Sequence, residues 1–475
     1  MDNNKVLKAG VGYTIANYLI KGLAFFTLPI FTRLLSTADF GIYNTFLAYE
    51  NILTVILGVS FYSSFNAARF KFSKIERYIS GCITFSAIVS LVILLFMQIA
   101  YPIYSRYLGL DRWLLVLLIV YSFSTAIITY YNSYVGLDYQ YKKFILISAI
   151  GAIGNIVMSL LFVLTVFSNS RGVGRIVGMS IPTIFLSIYI LIFFLSKNKP
   201  NLDKSYIKYA LLYCIPIIPH SLSQIILNQF DRIMITSIVG ESESGIYSFA
   251  YTMFSILLIT ITSIDKVWGP WFFDNLRENN YSKIKKKSTQ YGLLMAVISS
   301  LLMLIAPEII KFLGPKEYWD AIYCVIPIVI GGYFSFLYYI PCQVEYYYAK
   351  TKYIAVGSVV AAIINVILNF VFIQKYGYIA AAYTTLASYL LYFFFHYLIS
   401  VHIAKKCLFE TKKLVMMSCG VILFGVAAFE LISFPIIRWI LSFVIVIMYG
   451  IIVSREFGIT NKIKMIVKSI KKRKM

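Results

Sequence analysis

The sequence predicts an all-α polytopic membrane protein of about 14 transmembrane helices, and three observations predict it. Of its 475 residues 60% are hydrophobic and only 13% charged, about half the charged share of an ordinary soluble domain. The apolar residues run continuously over lengths close to the roughly 20 residues that a helix needs to cross hydrocarbon, rather than alternating as in a β-barrel strand. Finally, the 43 Lys and Arg residues against 20 Asp and Glu gather in the short breaks between apolar runs, where basic residues set orientation.

Taken in order, spans are expected near 11–32, 42–65, 79–101, 113–135, 144–167 and 174–195. After a polar connector from Lys197 to Lys204, six more are expected near 209–237, 245–264, 290–312, 321–345, 353–373 and 379–400. A last pair near 414–433 and 436–454 precedes a basic tail from Arg455 to Lys474. Lys5 and Lys8 ahead of the first run imitate a signal peptide. That run exceeds a typical signal h-region and carries Lys21, so it is expected to be retained as a span. The corresponding organisation is a six-helix lobe over 1–200, a second over 201–402, and an extra helix pair with its tail over 403–475.

Charge tests this count. With the N-terminus on the cytoplasmic side, the termini and the cytoplasmic loops hold 32 Lys and Arg, the opposite loops 9. Both termini are therefore expected in the cytoplasm. The net charge of +23 needs no nucleic acid: cations at membrane interfaces meet anionic lipid heads, and the tail is expected to lie on the inner leaflet. The longest cytoplasmic loop is expected over Asp265 to Gln290, with Lys283, Lys285, Lys286 and Lys287 in it.

The halves repeat. Gly41-Ile42-Tyr43 recurs as Gly245-Ile246-Tyr247 at an offset of 204, and at an offset of 210 Lys142, Ser148, Ala152, Asn155 and Phe162 meet Lys352, Ser358, Ala362, Asn365 and Phe372. Six spans lie between copies, so both enter the membrane in the same direction, as in parallel-repeat transporters with a path between two bundles.

Catalytic signatures are missing: the chain has no phosphate-binding G-x-x-x-x-G-K-[ST] loop, no H-E-x-x-H and no G-x-S-x-G. No catalytic residue and no metal site is expected. The six cysteines show no CxxC spacing, and His220, His396 and His402 form no evident ligand cluster with them, so the cysteines read as small apolar fillers.

Ionisable residues inside spans each cost about 2.5–3.5 kcal/mol at a helix centre, which makes them the site candidates. Tyr13, Asn17 and Lys21 fall on one face of the first span, either lining a water-filled path or pairing Lys21 with Glu50. On the seventh span Gln224, Asn228 and Asp231 share a face beside Arg232, Asp231 and Arg232 being either part of a path or a short structural ion pair near the outer interface, and Pro216 and Pro219 interrupt its first turns, a break tolerated only against protein or a cavity. Asp265, Lys266 and Arg69 are either further site charges or interface residues. Aromatics within spans, such as Tyr130, Tyr131, Tyr134, Tyr338 and Tyr339, are mainly expected to pack. Gly174 and Gly178 read as a close helix contact.

The segment Pro29-Ile30-Phe31-Thr32-Arg33-Leu34-Leu35 before Asp39-Phe40-Gly41-Ile42-Tyr43 resembles the opening signature of Wzx-type polysaccharide flippases, in the multidrug/oligosaccharidyl-lipid/polysaccharide exporter superfamily. Asn228-Gln229-Phe230-Asp231-Arg232 followed by Gly245-Ile246-Tyr247-Ser248, and Asn365 to Asn369 followed by Gly377, resemble later motifs of the same family. The resemblance implies two lobes that open alternately to either face of the bacterial inner membrane and carry undecaprenyl-diphosphate-linked oligosaccharide, such as an O-antigen unit, outward. It implies that Lys21, then Arg232, Lys266 and Arg69, meet the diphosphate or acidic sugars. Asn17, Glu50, Gln224, Asn228 and Asp231 then line the cavity or couple H+ or Na+, with no other cofactor. A polysaccharide polymerase and chain-length machinery are the implied neighbours. An ion-coupled multidrug antiporter of the same superfamily is the alternative.

Overall fold

Among the residues described by the computed structural model, Gly12, Gly22, Leu23 and 25–456, the ordered elements are helical. Among these described residues twelve helices are long and apolar enough to cross a membrane, thirteen when one bent pair is counted as a span. Those thirteen match the second to fourteenth expected spans one for one. The first expected span lies largely outside the described residues, and Asn17, Lys21 and the tail from Lys462 lie wholly outside them.

After α1 (Phe25–Leu34) come α2 (Thr37–Leu57), α3 (Phe65–Lys71), α4 (Ile75–Ile99), α5 (Tyr101–Leu108), α6 (Arg112–Leu137), α7 (Tyr141–Leu164) and α8 (Arg171–Lys197). The chain continues through α9 (Lys204–Cys214), α10 (Ile218–Ile238), α11 (Glu241–Ala250), α12 (Thr252–Arg277), α13 (Tyr281–Leu313), α14 (Ile322–Leu337) and α15 (Tyr339–Tyr347). It closes with α16 (Thr351–Tyr376), α17 (Ile379–Ala404), α18 (Thr411–Glu430) and α19 (Pro435–Glu456).

The chain forms two units, one of residues 1–249, 312–320 and 351–388, the other of 250–311, 321–350 and 389–475. In the first, α2 is central and packs on α6, α8 and α10, while α16 lies along α10. Its start follows from sequence: Ser36-Thr37-Ala38-Asp39 is a capping box, with Ser36 Oγ accepting from Asp39 N and Asp39 Oδ2 accepting from Ser36 N, both at 3.1 Å. Asp39 Oδ1 also accepts from Gly172 N at 2.7 Å, which seats α8 against this cap. Close packing at Gly178 holds as expected, since a Cβ there would strike the Ser159 backbone of α7.

Two expected boundaries are corrected. The second span stops at Leu57 instead of near 65, because Gly58 caps it and Val59 and Ser60 both take positive φ, 49° and 50°, before a 3-10 turn. Tyr130 OH donates to Gly58 O and holds that turn inside the unit. The loop expected over Asp265 to Gln290 is helical but for residues 278–280. Here α12 continues as an amphipathic helix whose Trp268 and Phe272 are buried, Trp268 edge-on to Tyr291 and Phe272 stacked near Phe409.

The bend expected at Pro216 is present: α9 and α10 meet at 49°. In the second unit α14 is apolar all round and buried nearly throughout, the mark of a core helix, and packs on α12, α15 and α18. Arg438 of α19 reaches α13, donating to Glu308 at 2.5 and 2.7 Å and to Leu304 O at 2.6 Å. Of the cysteines, Cys82, Cys214, Cys324 and Cys342 are buried, but Cys407 and Cys419 are exposed and fill no core.

Candidate functional site

Within the first unit the starts of the two repeats meet each other. Gly41 of α2 lies against the Glu241 carbonyl, and Gly245 of α11 against the Thr37 carbonyl; a Cβ on either glycine would collide with backbone. Thr37 Oγ1 and Ser242 Oγ are 2.7 Å apart, and Thr45 Oγ1 lies 2.7 Å from Thr236 Oγ1 and 3.3 Å from Ser244 Oγ. The junction is bolted by the segment before it. Thr32 Oγ1 donates to Leu313 O at 2.6 Å and Arg33 Nη2 to Phe312 O at 3.1 Å, covering the last carbonyls of α13. Tyr318 OH donates to the Leu35 and Ser36 carbonyls.

Beside this junction runs a buried polar chain. Asp231, fully buried on α10, accepts at Oδ2 from Tyr247 OH and from Thr385 Oγ1, the latter at 3.1 Å. Thr385 Oγ1 accepts from Asn365 Nδ2 at 3.2 Å, Asn365 Oδ1 from Asn369 Nδ2 at 3.2 Å, and Asn369 Oδ1 from Thr384. All six side chains are buried, so α10, α11, α16 and α17 are joined by polar groups where apolar packing would have served. Asp231 Oδ1 has no hydrogen-bond partner among the described residues.

The predicted face of α10 is only partly turned to this chain. Asn228 Nδ2 donates to Gln224 O and Arg232 Nη1 to Asn228 O, each at 2.7 Å, both bonds running back along their own helix. Glu50 of α2 is buried and accepts from Thr54 Oγ1 at 3.0 Å. Arg69 donates to Leu137 O at 2.6 Å, a cation at the C-terminus of α6. Lys266 belongs to the second unit and is exposed, while its neighbour Asp265 accepts from Gln343 Nε2 at 3.2 Å. Tyr130 is spent on packing and on hydrogen bonds to Gly58 and Ser86.

Sequence reasoning missed Arg175, counted as a loop cation. Its guanidinium lies 3.4 Å from the centre of the Phe31 ring and 5.1 Å from that of Tyr43, and its Nη1 is buried with no hydrogen-bond partner among the described residues. A cation inside the first turns of α8, between Gly174 and Gly178, was the available signal. It also missed the meeting of Cys342 with His396: the two were expected to share no cluster, yet with Glu345 their ligand atoms lie within 4.8 Å of one another. A 54-residue separation hid them, and only the pairing of α15 with α17 brings them together.

Repeated motifs, a bent helix pair and buried polar groups stand, among the described residues, in an all-helical fold of twelve or thirteen candidate membrane spans. The structure is similar to "Lipid II flippase MurJ, inward closed conformation", with a TM-score of 0.72 at 14% identity, covering 94% of this chain and 99% of that one. It is also similar to an inward-facing multidrug resistance MATE family transporter of the MOP superfamily, with a TM-score of 0.63 at 14% identity over 84% and 99%. By its sequence the chain belongs to the polysaccharide biosynthesis protein family, whose model matches residues 6–276. Two relatives come from Haemophilus influenzae. "Lsg locus putative protein 1" is 28% identical over 166 residues, 33% of this chain and 40% of the relative; an "uncharacterized membrane protein" is 30% identical over 141 residues, 29% and 35%. The matches thus span two fifths or less of those relatives' lengths.

Proposed function

We propose that this chain is a transporter and not an enzyme: a flippase that moves undecaprenyl-diphosphate-linked oligosaccharide repeat units, O-antigen or a related surface polysaccharide, from the cytoplasmic to the periplasmic leaflet of the inner membrane. The observation that carries this reading is the reciprocal contact of Gly41 and Gly245 in a member of a polysaccharide biosynthesis family. With both termini cytoplasmic, this contact lies at the periplasmic end and must part when the path opens outward. On this reading the lobes are 1–200 and 201–402, braced by the pair over 403–475. A path alternately open to each face suits an amphiphile whose sugar head crosses through protein while its lipid tail stays in the bilayer.

Lys21, Arg232, Arg69 and Lys266, with Arg175 added by the structure, are the proposed cations for diphosphate or acidic sugars. The buried chain on Asp231 is the proposed coupling element. A carboxylate with one oxygen unpartnered among the described residues and the other held by the Tyr247 and Thr385 hydroxyls can take H+ or Na+ without an anionic cargo reaching it. A negative-inside potential adds about 2.3 kcal/mol per charge per 100 mV for an anion moving outward. ATP is not required. The polymerase and chain-length proteins are the proposed receivers of the cargo.

The test is the leaflet distribution of undecaprenyl-diphosphate-linked units in a deletion strain and its complemented partner. Complete units held on the cytoplasmic leaflet and released by complementation support the reading. An unchanged distribution, together with new drug sensitivity, moves the assignment to the multidrug antiporter.

A further inference from the structure

Away from the chain on Asp231, three metal-ligating side chains of different chemistry converge in the second unit. Cys342 and Glu345 stand three residues apart on α15, a spacing that puts both on one face. His396 of α17 meets them, and the thiol sulfur, a carboxylate oxygen and a ring nitrogen all lie within 4.8 Å of one another. The residues are 3%, 0% and 0% exposed. His396 Nδ1 and Glu345 Oε1 are 2.5 Å apart.

That pair leaves as many polar atoms unsatisfied as it satisfies. Glu345 Oε2 and His396 Nε2 are both buried with no hydrogen-bond partner among the described residues. An unmade hydrogen bond at a buried polar atom costs about 1–3 kcal/mol, and here two fall in one place. No backbone group among the described residues partners either atom. The rings of Tyr338, Tyr392 and Phe395 surround the imidazole, with centroids at 5.7, 4.5 and 5.3 Å, and make the surroundings apolar. A structural His–Glu pair explains the short contact. It explains neither the orphaned atoms nor the thiol placed beside them.

The geometry points to a metal site: Cys342, Glu345 and His396 bind a divalent ion of the zinc class. Sulfur, imidazole nitrogen and carboxylate oxygen together are a donor set for zinc and its neighbours, whereas Mg2+ and Ca2+ call for oxygen alone. Binding replaces the His396–Glu345 hydrogen bond with one bond from each residue to the metal, the proton of that bond moving to the other imidazole nitrogen or to solvent. Cys342 ligates as thiolate, its proton passing to solvent. Three protein ligands leave a fourth position open to water or a small anionic group. The site ties α15 to α17 within the unit, and nothing in this inference depends on what the protein transports.

The experiment uses the full chain purified in detergent with any affinity tag removed, stripped with a chelator and then given Zn2+ or Co2+. About one metal per chain is expected, with a thiolate-to-cobalt charge-transfer band in the Co2+ form. Cys342→Ser should abolish the band, and His396→Gln and Glu345→Gln should each weaken Zn2+ binding roughly tenfold or more. Metal content near zero overturns the proposal, as does Co2+ bound without the band or binding unchanged in the variants. Should the variants fail to fold, the band of the unaltered protein decides alone, and its absence overturns the site.

Discussion

Gly41 and Gly245 form a reciprocal contact: each lies against the carbonyl oxygen of the residue four positions before the other, Glu241 in one direction and Thr37 in the other. The same three-residue motif, repeated 204 positions apart, packs against its own copy. This is the arrangement a pseudo-two-fold axis demands, residue i on j and j on i. It also makes the contact all-or-none, because backbone lying on backbone tolerates no intermediate side chain.

If the path opens by parting this contact, a covalent bond across it stops transport. In a Thr37→Cys/Ser242→Cys variant the new thiols replace hydroxyls 2.7 Å apart. Oxidation should form a disulfide and abolish export of lipid-linked units, and reductant should restore it. Full export from the cross-linked protein would show that the junction stays shut throughout the cycle.

Replacing Asp231 by Asn keeps its size and its contacts with Tyr247 and Thr385 but removes the charge. Export is expected to fall at least about tenfold, the equivalent of 1.4 kcal/mol, with membrane abundance unchanged. Asn365→Leu cuts the chain one link away and should produce a milder loss. Equal export by Asp231→Asn at all Na+ concentrations and pH values would remove this residue from coupling.

Arg438 anchors the C-terminal helix pair. Arg438→Met strands Glu308, and since that carboxylate is about one third exposed, the loss should fall toward the lower end of the roughly 3–5 kcal/mol of a fully buried pair. A lower Tm in detergent checks this. Adding Glu308→Leu should recover most of the loss, because a removed pair leaves no orphaned charge.

Arg175 over Phe31 is worth about 0.5–2 kcal/mol as a cation–π contact. Arg175→Leu should lower export of an anionic cargo more than it lowers Tm, whereas Arg175→Lys should keep part of both. Equal losses of Tm and export would assign the residue to packing alone.

Much of this molecule is legible from its residues one at a time. Apolar runs too long for a core helix mark the spans, and Pro216 marks the bend before α10. The repeat of Gly-Ile-Tyr was visible as a pattern, and so was the polar face carrying Asp231. What pattern cannot supply is the partner of each polar group: Asp231 finds Tyr247 and Thr385, 16 and 154 positions away.

The sequence by itself determined class, span order and family, because hydropathy, charge bias and motif spacing are properties of neighbouring residues. Only tertiary structure decided that Asn365 serves Thr385, that Arg175 lies on Phe31 and that Cys342, Glu345 and His396 share one place. In hydrocarbon almost any apolar surface packs on any other, so hydrophobicity selects no partner. Helix pairing is selected by small residues and buried polar groups, and those choices exist only once the helices have met.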